Sequence, residues 1–303
     1  MMRIAVCVPL PPPLLDQLRA AVSPIPLDVV RGDAPCDAEI MFGNPVPVVV
    51  TGNPALRWLQ LESVGFGEYA ALDWSRPHGA VQVTNLAGFF ADPVAESALA
   101  GILALYRGID RLVTLRDRAE WQGDTIRPTL RTLAGARVVL FGMGAINRRL
   151  AALLAPFGCT VTGFASGFDP SALDQALSRA DIVVATVPHT PATQGLFDAA
   201  RLALLPAHAI LCNFGRGSLI DEQALAAALG AGRLGGAVID VTRAEPLPQG
   251  HPFWSCPNLL LTQHSGGGTG DELARKVEVF LANLQRFLAG EPLLGLVDFT
   301  RGY

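Results

Sequence analysis

From position 137 onward the chain keeps a steady rhythm. Continuously apolar runs, many rich in β-branched residues, alternate with stretches whose apolar residues recur at helical spacing. RVVLF (137–141), TVTGF (160–164), DIVVATV (181–187), AILCN (209–213), GAVID (236–240) and NLLLT (258–262) read as strands, while NRRLAALLAPFG, SALDQALSRA and DEQALAAALG read as helices. A strand whose side chains are apolar on both faces is buried on both, the mark of a parallel sheet covered by helices. Six such strands predict a doubly wound, Rossmann-type dinucleotide fold.

The first ninety residues carry a shorter set: RIAVCV (3–8), LDVV (27–30), AEIMF (38–42), WLQL (58–61) and AVQVT (80–84), heavily punctuated by proline and glycine. They predict a smaller α/β unit. Long helical patterns at 92–118 and 271–289 flank the regular block. In the first, Asp92 is a candidate cap and Pro93 a candidate first residue; Gly290 is a candidate stop for the second. The expected organisation is a substrate domain of 1–91 plus 270–303 and a dinucleotide-binding domain of 92–269.

Candidate chemistry falls at the ends of the predicted strands. RVVLFGMGAIN (137–147) is strand, G-x-G, then helix. Gly142 would make the tight turn, and Gly144 would let a pyrophosphate approach the backbone at the helix N-terminus. Asn147 replaces the third glycine of the fingerprint. The acidic residue expected after the second strand, where it would hold the adenosine ribose, is missing: TVTGF is followed by Ala165-Ser166-Gly167, and Asp169 lies beyond, in a loop. That absence removes repulsion against a 2′-phosphate and favours NADPH over NADH. Ser166 is a candidate hydrogen-bond donor there, and His189 a second polar group for the same rim.

Three further residues follow three successive strands: Arg216 in NFGRGSLID, Glu245 in DVTRAEPLP and His264 in LTQHSGGG. Ligands of open α/β sheets bind beyond the carboxyl ends of the strands. A guanidinium matches a carboxylate, a histidine shuttles a proton near neutral pH, and a carboxylate beside it favours the imidazolium. Singly, each is an ordinary loop residue; together they form a catalytic set. Gly215 and Gly217 would let substrate and cofactor approach the backbone around Arg216.

Composition narrows the partners. Half of the 303 residues are hydrophobic, net charge is −4 and there is no basic tract, which argues against nucleic acid. Arginine outnumbers lysine 22 to one, so arginine as a type carries no argument and position must. Five scattered cysteines show no metal spacing and suit a reducing cytoplasm. No stretch has the length of a membrane span. A cytoplasmic protein without a metal is expected.

The stretches LQLESVGFGEYAALDW, VTNLAGFFADPVAESALAGILAL, LAGARVVLFGMGAINRRLA, ADIVVATVPHTPATQGLFDAARLALL, AILCNFGRGSLIDEQAL, GAVIDVTRAEPLP, LLLTQHSGG and FLAGEPLLGLVD appear in this order over roughly 58–298. In order and spacing the chain resembles the D-isomer-specific 2-hydroxyacid dehydrogenases, and its SVG segment resembles the glyoxylate/hydroxypyruvate reductase branch. The resemblance implies two doubly wound domains, a Rossmann domain and a smaller flavodoxin-like one, and NAD(P)H-dependent reduction of a small 2-keto acid. It implies His264 as acid/base, Glu245 as its partner and Arg216 on the carbonyl and carboxylate. Val64 and Gly65 would grip the substrate carboxylate through their amides. Ala145 and Ile146 would lie on the pyrophosphate, and Pro188, Thr193 and Asp240 along the cofactor. It also implies a homodimer formed through the 92–118 region. Departures are Gly67, where the family usually has Asp or Asn, and Gln263, where it commonly has proline. Phe89 and Phe90, in the loop entering the long helix, are read as core or as rings that narrow the substrate cleft. The alternative is a non-enzymatic dinucleotide sensor or corepressor on the same fold, which would not need the complete Arg/Glu/His set.

Overall fold

A computed structural model describes residues 2–299. The chain divides into two compact units. One comprises the residues through Phe89 together with those from Thr269 onward; the other is Phe90–Gly268.

The first unit is built on strands β1 (Ile4–Val6), β2 (Leu27–Val29), β3 (Ile40–Phe42), β4 (Trp58–Gln60) and β5 (Gln82–Thr84), with helices α1 (Pro12–Val22) and α2 (Pro47–Thr51). All pairs are parallel, in the order β2-β1-β3-β4-β5, which is the flavodoxin-like arrangement. Each observed strand is shorter than its apolar run, with three residues in register in every ladder. On one face the sheet buries Ile4, Val6, Ile40, Phe42 and Trp58 against Val277, Phe280 and Leu284. These last three belong to α10 (Glu272–Ala289), which ends at left-handed Gly290.

The second unit contains β6 (Arg137–Phe141), β7 (Thr160–Phe164), β8 (Ile182–Ala185), β9 (Ile210–Asn213), β10 (Gly236–Ile239) and β11 (Leu259–Leu261). All are parallel, in the order β11-β10-β9-β8-β6-β7. Helices α6 (Ala145–Leu154), α7 (Pro170–Leu177), α8 (Ala199–Leu204) and α9 (Glu222–Gly230) connect them. The strand order reverses between β6 and β8, which creates the crevice where such sheets bind ligands. Successive residues of β8, Val183 and Val184, belong to two different apolar clusters, so the continuous hydrophobicity is burial on both faces.

The 92–118 pattern is not one helix. Helix α3 (Ala91–Arg107) ends at Gly108, whose φ of 62° closes it, and α4 (Ile109–Asp117) starts afresh, followed by the short α5 (Gly123–Ile126). Apolar spacing continues through the break, so periodicity alone misses it. Asp92 is not the cap either: α3 begins at Ala91, and Asp92 pairs with Arg149 of α6 at 2.6 Å. Phe90 packs on the α3 core, while Phe89 carries the Arg275 guanidinium 4.5 Å from its ring centre.

At the amino-terminal end of the β6/β8 pair, Asp181 accepts bonds from the Arg137 backbone and side chain and contacts His208 at 2.8 Å. Burial alone would push this carboxyl up, but those bonds outweigh it and hold it well below the usual aspartate range. A depressed folded pKa stabilises above the unfolded value of about 3.8 and is lost as pH falls below it. Asp181→Asn should therefore cost about 2 kcal/mol at pH 7 and flatten the fall in melting temperature below pH 4, measured by thermal denaturation across pH.

Candidate active site

The phosphate loop follows from β6 running straight into α6. Gly142 has φ of 97°, and its amide donates to Phe164 O at 2.8 Å, tying the turn to β7. A side chain there would collide with Val187. Gly144 caps α6, and a Cβ on it would enter open space, the cradle that an anion at a helix N-terminus requires. Ala145 and Ile146 form the first turn of that helix. Asn147 does more than take the place of a glycine. Its side-chain amide is fully buried and donates to Phe141 O, Gly142 O and Val184 O, at 3.3, 2.9 and 3.3 Å, binding the loop to both strands of the crevice. The loop fits a dinucleotide pyrophosphate.

After β7, Ser166 is exposed and Asp169 is the cap of α7, accepting from Ser171 N at 2.9 Å. No carboxylate lies between Phe164 and Asp169. Pro188 follows β8. The Thr193 hydroxyl donates to Pro188 O at 2.7 Å and accepts from Thr190 N at 2.9 Å, closing its own turn. His189 contacts Ser218 at 2.7 Å.

Arg216, Glu245 and His264 come together at the carboxyl ends of β9, β10 and β11. His264 Nδ1 lies 2.7 Å from Glu245 Oε2, and Glu245 Oε1 accepts from Thr242 N at 2.9 Å. Burial raises the Glu245 carboxyl, but the His264 bond, the Thr242 amide and the charges of His264 and Arg216 together lower it, so it remains a carboxylate at neutral pH. The Arg216 side chain is exposed on this rim, and its backbone is bracketed by buried Asn213: Asn213 Nδ2 donates to Arg216 O at 3.0 Å and Oδ1 accepts from Gly215 N at 3.1 Å.

The flanking glycines serve a different end from the one their sequence suggests. A Cβ on Gly215 would meet Val187 O at 2.5 Å, and one on Gly217 would penetrate the backbone at Thr242. They let the arginine loop pack between two neighbouring loops rather than opening its backbone to ligands.

Asp240 shapes the histidine turn. Its carbonyl accepts from His264 N at 2.6 Å; its Oδ1 accepts from Thr262 Oγ1 at 2.6 Å and Gly266 N at 3.0 Å. Gln263 and His264 both hold φ near +55°, a conformation closed to proline. Sequence reasoning missed Asn213, Thr242 and Thr262. The only signal was a polar residue ending or following an apolar strand.

In the first unit, Val64 and Gly65 form an exposed turn with its carbonyls turned inward. Ser63 O accepts from Leu86 N at 3.0 Å, Val64 O from Asn85 Nδ2 at 2.8 Å and Gly65 O from Ser63 Oγ at 2.8 Å. Asn85 supplies rigidity that Gly67 does not.

Residues 99–266 match the model of the D-isomer specific 2-hydroxyacid dehydrogenase, NAD binding domain. A glyoxylate/hydroxypyruvate reductase A of Yersinia enterocolitica is 30% identical over 90% of this chain and 90% of its own length. A hydroxyphenylpyruvate reductase of Plectranthus scutellarioides is 31% identical over 71% of this chain and 70% of its own. Among solved structures, a D-isomer specific 2-hydroxyacid dehydrogenase of Xanthobacter autotrophicus, in complex with NADPH and MES, superposes with a TM-score of 0.81 at 29% identity, covering 100% of this chain and 99% of that one. The chain belongs to the D-isomer specific 2-hydroxyacid dehydrogenase family. It is an oxidoreductase whose cofactor is a nicotinamide dinucleotide.

Proposed function

We propose that the protein reduces a small 2-keto acid, of the glyoxylate or hydroxypyruvate kind, to the D-2-hydroxy acid. The observation that carries this reading is the 2.7 Å His264–Glu245 pair with Arg216 on the same rim. Glu245 accepts from His264 Nδ1, leaving Nε2 to deliver a proton to the keto oxygen. Arg216 offsets the charge that develops on that oxygen. The amides of Val64 and Gly65 bind the substrate carboxylate. Gly142, Gly144, Ala145 and Ile146 hold the pyrophosphate, Ser166 lies at the adenosine end, and Pro188, Thr193 and Asp240 shape the rim beside the nicotinamide. When bound, the reduced nicotinamide supplies the hydride. The second unit is the dinucleotide-binding domain and the first the substrate domain. The test is optical: oxidation of NADPH and NADH by the purified protein with glyoxylate, hydroxypyruvate, pyruvate and phenylpyruvate. Tight dinucleotide binding without turnover of any 2-keto acid would instead favour a sensor.

NADPH is the preferred cofactor. The missing carboxylate supports this, and so does Arg148. Its Nε donates to Met143 O at 2.8 Å, the Met143 side chain lies against Gly163 of β7, and among the described residues no carboxylate pairs with Arg148. A lone guanidinium near a helix N-terminus adds positive charge to positive potential, a demand that a 2′-phosphate satisfies. NADPH should exceed NADH at least tenfold in kcat/KM, and Arg148→Ala should remove most of that margin while leaving NADH kinetics unchanged. A tenfold preference for NADH overturns the assignment.

The working form is a homodimer through the 92–118 region. Helix α4 buries none of its residues and exposes Ile109, Leu112 and Val113, and the nearby Trp121 is 97% exposed. Such a patch on a monomer is costly unless covered. Light scattering at micromolar concentration should give twice the 32.0 kDa chain mass, and Leu112→Asp with Val113→Asp should give the monomer.

A further inference from the structure

The one lysine among 22 arginines lies in the first unit, in no part of the machinery described so far. The Lys276 side chain is only 9% exposed, and Nζ lies 2.8 Å from Glu272 Oε1, one turn back on α10, and 3.3 Å from Glu62 Oε2. Glu62 leads directly into Ser63-Val64-Gly65. We propose that Lys276 is a positioning residue that fixes this loop in its anion-binding shape. The inference rests on the assignment of Val64 and Gly65 to the substrate carboxylate.

Three observations carry it. The mount is rigid. One turn beyond Lys276, Phe280 stacks on Phe42 and Trp58 with ring centres 4.6 and 5.2 Å apart, and Asn283 donates to Gln60 Oε1 at 3.0 Å. Helix α10 is thereby locked to β3 and β4, and Lys276 projects from a fixed element to the end of β4. Next, the loop is held at each step. Glu62 N donates to Asn44 Oδ1 and Asn44 Nδ2 to Ser63 Oγ, both at 3.2 Å, and the three following carbonyls are tied inward as described. Among the described residues, no acceptor pairs with the amides of Val64 and Gly65, and both residues are exposed, which leaves two successive donors free for a ligand. The Glu62 side chain is anchored by Lys276; without it, the entry to the loop loses its only ionic tie among the described residues. Finally, charge matters. Two carboxylates beside an anion-binding turn oppose an anionic substrate, and the ammonium offsets one of them. A buried ammonium is compact enough to bridge carboxylates from two elements, where the planar guanidinium fork is larger and more directional.

The test uses the full chain with Lys276→Met and Glu62→Gln, each first shown to be folded by thermal denaturation. The KM for the keto acid should rise tenfold or more in Lys276→Met, with kcat within about twofold and the dissociation constant of NADPH, read by fluorescence, unchanged. Glu62→Gln should raise KM in the same sense. The double variant should be no worse than Lys276→Met alone, because both changes cut one tie. An unchanged KM in both folded variants, or a fall in kcat at constant KM, overturns the proposal. Amide hydrogen exchange supplies a readout that needs no substrate: residues 62–66 should exchange faster in Lys276→Met than in the wild type, and equal exchange rejects the tie. A wild-type chain that turns over no 2-keto acid would count against the proposed function, while the exchange measurement still decides the role of Lys276.

Discussion

His264→Ala is expected to lower kcat/KM for keto-acid reduction by about 10³-fold while leaving dinucleotide affinity within twofold. The reason lies in the geometry of one nitrogen. Glu245 Oε2 fixes Nδ1 at 2.7 Å, and the Thr242 amide fixes Glu245 in turn. The imidazole thus arrives oriented, with its other nitrogen available to the substrate oxygen. Because Glu245 is held below the usual glutamate range, it stays ionised at neutral pH and remains an acceptor for Nδ1. Alanine removes the donor but touches neither the phosphate loop nor Asn147, so cofactor binding is spared. Steady-state kinetics with fluorescence titration of NADPH would check both halves. A loss smaller than tenfold would mean that another group delivers the proton.

Gly217→Ala is expected to be the most destabilising single-methyl addition in the second unit, costing more than about 4 kcal/mol or preventing folding. The added carbon would occupy the space of the Thr242 carbonyl and the Arg243 amide, which are backbone atoms with no rotamer to yield. The affected loop also carries the Thr242 amide that holds Glu245, so any chain that does fold should have lost activity as well. Alanine at Gly144, by contrast, meets open space and should leave the melting temperature near that of the wild type. Melting curves of the two variants side by side would test the contrast; equal stability would refute the packing argument.

Much of this was legible in the chain. Each strand of the second unit announced itself because burial on both faces leaves an uninterrupted apolar run, and the Arg, Glu and His positions stood out because they follow three such runs. The phosphate loop was readable from its glycines. What did not show was anything dependent on contacts distant in sequence. Gly215 and Gly217 looked like clearance for a ligand, yet they are clearance for Val187 and Thr242. The break at Gly108 was hidden because helical spacing persists across it. Asn147 read as a lost glycine, whereas its amide staples β6 to β8. Lys276 gave no sign beyond its rarity, because Glu62 lies more than two hundred residues away.

The left-handed pair Gln263-His264 bears on how the enzyme should be engineered. Stabilisation by averaging over relatives would place proline at 263, as the family commonly does. Here the backbone angle of +54° lies outside anything a pyrrolidine ring can adopt, so that exchange would displace the neighbouring His264, the residue proposed to deliver the proton. Consensus design is therefore a poor guide in this loop. Glycine, which accepts the angle without strain, is the substitution that the backbone itself recommends.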